Sequence, residues 1–161
     1  MTAQVSEKLF HNGTNYALCA EPLEKYLKEQ RPDIDFVWTN TSCWRGYQGT
    51  WQIREGKLYL TGLEGRLRKP GERMQFPEKF PENDPDAFKK CFPDLGEDVL
   101  FAGWFSGEVS CPYGDLLDYR HAGFGSVYRH ELVITFNNGI VVSEVEKVNM
   151  VPQGGFRRQA D

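Results

Sequence analysis

The chain has only three histidines among its 161 residues, and no two of them stand at the spacing metal ligands use, so no metal site is expected. The four cysteines, Cys19, Cys43, Cys91 and Cys111, form no CxxC or CxxH pattern and so indicate neither a zinc site nor a thioredoxin-like pair. No run of about 18 apolar residues occurs, so no membrane-spanning helix is expected. Residues 1–20 carry Glu7, Lys8, His11 and Asn12 where a secretory signal needs an apolar stretch. A cytoplasmic chain with reduced, mostly buried thiols is the simplest expectation. Basic charge is scarce as well: 19 Lys and Arg face 23 Asp and Glu, a net charge of -4, which argues against nucleic acid as the partner. The sequence contains no complete dinucleotide fingerprint, phosphate loop or nucleophile elbow, and no cofactor is expected.

What the sequence does contain is a globular composition, 40% hydrophobic and 26% charged, with eleven Phe, seven Tyr and four Trp. At this length roughly 70% of the unfolded surface is buried on folding, enough for one self-supporting domain. We expect that domain over residues 1–151, followed by a flexible tail at 152–161. The local patterns predict an α+β fold, mainly antiparallel sheet that is curved or forms a partly open barrel, with two short helices. Asn12-Gly13 between apolar runs predicts an opening hairpin. Pro22 followed by apolar Leu23, Tyr26 and Leu27 predicts a helix over 21–29.

Period-two alternation predicts a strand over 43–53 and, after a Glu55-Gly56 turn, a second over 57–63. Gly46 and Gly49 within it suggest a bulge or a close approach to the backbone. A second helix over 84–92 is predicted with Asp84 as cap and Pro85 in its first turn, packing through Phe88, Cys91 and Phe92. Strands over 99–105, 107–111, 116–119, 128–136 and 140–148 complete the pattern, the last two joined at Asn137-Asn138-Gly139 with Val133, Ile134 and Phe136 opposite Ile140, Val141 and Val142.

Two islands hold the residues with chemical potential. In Cys43-Trp44-Arg45-Gly46-Tyr47-Gln48-Gly49-Thr50-Trp51, alternation puts Arg45, Tyr47 and Trp51 on one face, a guanidinium between aromatic rings that suits a carboxylate, a phosphate or a flat ring. The plainer reading makes the aromatics core residues and pairs Arg45 with a nearby acid. In the second island, Asp118 to Tyr128, Gly123 and Gly125 bracket Phe124 in a loop able to expose backbone N–H groups as an anion nest. His121, with Tyr119, Ser126 and Asp118 near it in sequence, supplies the residue types of an acid–base site. A histidine satisfied inside a tight loop is the alternative. Cys43, Cys111 and Ser126 are nucleophile candidates without a motif that would activate them.

These islands resemble a group of small bacterial proteins without an assigned function. They share the Trp44-Arg45-Gly46-Tyr47 strand, the Trp51-x-Ile53 and Gly56-x-Leu58-Tyr59 hairpin, Trp104-Phe105-Ser106-Gly107, and the segment Asp118-Tyr119-x-His121-x-Gly123-Phe124-Gly125-Ser126-x-Tyr128. The resemblance spans residues 15–140 and implies a bacterial or phage origin, with no activity attached.

The leading functional expectation is a non-catalytic binding protein, an inhibitor or immunity-type factor acting on a protein partner through Trp44, Arg45, Tyr47, Trp51, Gly123 and Gly125. The alternative is a small hydrolase or group-transfer enzyme, with Arg45 holding an anionic substrate and His121, Tyr119 and Ser126 as the catalytic set. The spatial discriminator is whether Arg45, Tyr47, Tyr119, His121 and Ser126 line one pocket. The sequence names neither the partner nor the oligomeric state.

Overall fold

The computed structural model describes residues 5–37, 45–68, 86–95, 99–118, 124 and 126–150. The chain opens with a hairpin of β1 (Glu7–His11) and β2 (Thr14–Leu18). Asn12 and Gly13 turn it at φ 51° and 77°, the left-handed pair that Asn-Gly supports at least cost. Helix α1 (Leu23–Gln30) follows, with Pro22 at its N-cap position and Leu23 and Leu27 buried. Strands β3 (Tyr47–Arg54) and β4 (Lys57–Gly65) form the second hairpin through Glu55 and Gly56. After the short helix α2 (Ala87–Cys91) come β5 (Leu100–Phe101), β6 (Gly107–Asp118), β7 (Val127–Asn137) and β8 (Ile140–Val148).

The eight strands among the described residues form one mixed sheet in the order β2-β1-β3-β4-β8-β7-β6, with β5 paired to β4 beside this path. Every pair is antiparallel except β1 with β3. That parallel pair requires a crossover, which β2 and α1 supply. The sheet does not close into a barrel: β2 and β6, at the ends of the path, meet through the single bridge of Cys19 with Ser110. Inner residues of both halves nevertheless share one core, including Leu9, Trp51, Leu60, Val109, Ile134 and Phe136. Each such side chain contributes about 1.5–3 kcal/mol by leaving water. Among the described residues no helix is long and apolar enough to cross a membrane.

Several local expectations need correction. The strand expected from residue 43 begins at Tyr47, because Arg45 lies in a turn and Gly46 takes φ 81° beside Phe36. The strand expected over 99–105 shrinks to Leu100–Phe101. There the chain turns at Gly103 and Trp104, and the Trp104 indole donates to the Pro22 carbonyl at 2.7 Å while its ring packs at a tilt against Tyr26. The segments expected at 107–111 and 116–119 are one strand, since Gly114 at φ 83° bends β6 without ending its pairing to β7. The cap of α2 is Asp86; Asp84 and Pro85 lie outside the described residues. Across the last hairpin Phe136 does oppose Val141, but a bulge at Val142 shifts the register. Ile134 therefore faces Glu144, and Val133 faces Val145.

Candidate functional site

The odd-numbered face of β3 is buried: Tyr47, Gly49 and Trp51 all point into the core, as alternation required. What they surround is a residue the motif reading passed over, Glu7 of β1, whose exposure is 0%. Arg45 reaches Glu7 Oε2 through Nη2 at 2.7 Å and Nε at 3.2 Å. The Gly49 amide donates to the same oxygen at 2.7 Å, and the Trp51 indole donates to Oε1 at 3.0 Å. Glycine is needed at 49 because a Cβ there would stand 2.6 Å from Glu7 Oε1. Arg45 also donates to the Val5 carbonyl and lies 5.6 Å from the Tyr47 ring centroid, with its own side chain only 4% exposed.

Burial raises the Glu7 carboxyl above its ordinary range, opposed first by the Arg45 charge and then by the Gly49 and Trp51 donors. The same burial drives the Tyr47 phenol well above its usual value, helped by the Glu7 charge. Arg45 and Tyr47 form one wall of a cavity of about 330 Å³ that Lys28 and Asp35 also line. A signal for Glu7 was present in the sequence. Glu7, Leu9 and His11 share one parity of a hairpin strand, and an acid on the apolar parity needs a buried cation.

Ser126 lies elsewhere, in a cleft of about 280 Å³ with Phe124, Tyr128, Glu131, Ser110 and Cys19. Among the described candidates, then, Arg45 and Tyr47 share one cavity and Ser126 lines another. Trp44, Tyr119, His121, Gly123 and Gly125 lie outside the described residues. In the cleft the Ser110 hydroxyl donates to Glu131 Oε2, and Lys147 Nζ stands 3.7 Å from Oε1. Burial, with Glu131 adding to it, pushes the Cys19 thiol up to about 11, and burial pushes Cys111 up to about 12. Both thiols are free and stay protonated at neutral pH. Cys91 is buried, and Cys43 lies outside the described residues.

A third polar group sits along β8. Glu144 and Glu146 stand opposite the buried Ile134 and Leu132, so both carboxylates are on the core side of the sheet. His11 closes β1 as a buried residue, and its Nε2 lies 2.7 Å from Glu144 Oε1. Tyr113 donates to Glu146 at 3.0 Å and stacks on His130. No spacing pattern links His11 to a residue 133 positions away. Among the described residues no group of three or more His, Cys, Asp or Glu is arranged to hold a metal ion. Comparison of the chain with protein-family models, with curated proteins and with solved structures returned no match.

Proposed function

We propose that the chain is a non-catalytic protein-binding module of inhibitor or immunity type, and that it takes up an extended segment of its partner along β8. One observation carries this reading. β8 is paired to β7 from Ile140 to Val148, yet on its other side it meets β4 at one residue pair, Ile140 with Lys57. Beyond that pair, among the described residues, its outer edge presents backbone donors and acceptors together with Val142, Val145 and Val148 at 59%, 51% and 64% exposure. Such an edge is the template for strand addition.

The charges on β8 select the occupant. A second copy paired antiparallel about Val145 would set Glu144 against Glu146 on the core side, an arrangement that like charges oppose. A partner strand alternating basic and apolar residues instead meets these two carboxylates with cations, and a chain of net charge -4 steers it inward. The enzyme alternative has less support, since the Arg45 guanidinium it needs for substrate is already engaged by Glu7.

Hydrogen exchange tests the proposal. Adding a blocked alternating Val-Lys peptide is expected to slow exchange of amides within 142–148, and the double variant E144K/E146K is expected to abolish the slowing while keeping the native protection of β7. Equal slowing by a Val-Glu peptide, or none by either, overturns the reading. Slowing that appears without peptide as protein concentration rises replaces the partner with a second copy.

A further inference from the structure

None of the residues that line the cleft beside Glu131 belongs to the Glu7 cluster or to β8, although Lys147 of β8 reaches its carboxylate. Its described lining includes one carboxylate, Glu131, two aromatic rings, Phe124 and Tyr128, and the hydroxyl of Ser110, but no lysine or arginine. We infer that this cleft is a binding site for an organic cation, an alkylammonium or guanidinium group.

Three observations bear on it. The carboxylate is pre-oriented, because the Ser110 hydroxyl holds Oε2 and leaves Oε1 to face a cation. A cation of this chain already stands at that oxygen: Lys147, across the β7–β8 pair from Glu131, brings Nζ to 3.7 Å with its side chain 57% exposed. At that distance and exposure it is a weakly held occupant that a better-fitting cation displaces. The rings of Phe124 and Tyr128 add the polarisable walls that cations favour over neutral groups. The volume, about 280 Å³, falls below the range of about 300–1,000 Å³ typical of drug-sized ligands, and so suits a single side chain or a small amine. The Glu131 charge is felt inside the cleft, where it contributes to the raised Cys19 thiol.

Amide NMR titrations with butylammonium, ethylguanidinium and, as the neutral control, butanol test the inference. Both cations are expected to shift residues 124 to 131, and butanol is not. The variant E131Q, whose amide oxygen still accepts from Ser110, is expected to bind about tenfold more weakly, the loss of one charge-assisted contact. K147M, which removes the internal competitor, is expected to bind both cations more tightly than the parent, a gain that a merely structural Lys147 would not give. Tighter binding of a blocked arginine dipeptide than of ethylguanidinium assigns the site to a protein side chain, and the reverse order to a small free cation. Equal shifts from butanol, or unchanged affinity in E131Q, overturn the inference. The β8 peptide experiment stands or falls separately, because E131Q leaves Glu144 and Glu146 in place.

Discussion

At Glu7 a carboxylate without solvent exposure receives donors from Arg45, Gly49 and Trp51, so three residues of the aromatic island are committed to one buried anion. Truncating it leaves a buried guanidinium, a backbone amide and an indole without their acceptor. Glu7→Ala is therefore expected to cost about 3–5 kcal/mol in urea unfolding, the usual penalty for breaking a buried pair from one side. Glu7→Gln, which keeps an acceptor oxygen, should cost less than Glu7→Ala. A loss under about 1 kcal/mol for Glu7→Ala would mean that the cluster is incidental. At this scale the sequence showed that Tyr47 and Trp51 share a face of β3 and put a guanidinium close before them, but Arg45 reaches that face from a turn, and the group it meets there was not identified. The partner is 38 residues upstream of Arg45 and becomes its neighbour only when β1 lies beside β3.

At the scale of elements, the three hairpin turns were legible because each places Asn-Gly or Glu-Gly at positive φ, a property of the residues themselves. Their surroundings differ, and that difference makes a prediction. A Cβ at Gly13 meets nothing within 4 Å, so Gly13→Ala carries only the left-handed backbone cost of about 1–2 kcal/mol. A Cβ at Gly139 would stand 2.5 Å from the Ala102 carbonyl oxygen, and this turn also donates its amide to Phe105. Gly139→Ala is expected to lower the thermal midpoint at least twice as far as Gly13→Ala; equal shifts would show that the 99–106 segment yields freely. That same segment is where strand prediction failed. Trp104 finds its hydrogen bond on Pro22, a partner that no local pattern announces, and the chain turns to reach it.

For the whole molecule, burial sets the response to alkali. Cys19 and Cys111 are raised from 9.0 to about 11 and about 12, and the Tyr47 phenol is raised above 10.0, chiefly by desolvation. Each group thus holds its proton more tightly when folded than when unfolded. Their stabilising contribution is complete below about pH 9 and is lost as the pH rises through 9 to 12. Unfolding free energy measured by urea titration is expected to fall steadily over that window, and the double variant Cys19→Ala/Cys111→Ala is expected to fall less steeply. An unchanged slope in the double variant would show that the two thiols are as solvated in the folded chain as in the unfolded one.

The α+β class, the predominance of antiparallel strands, the three turns and the inward face of β3 were determined by the sequence alone, because hydrophobic period and turn chemistry act over a few residues. Tertiary structure alone decided the rest. Strand order brought β1 beside β3 and so made Glu7 the centre of the first island; the bulge at Val142 turned Glu144 and Glu146 toward the core side; and the packing of β6 on β7 set Ser110 against Glu131. Each depends on contacts between residues far apart in the chain, whose loop-closure entropy only the completed core can offset.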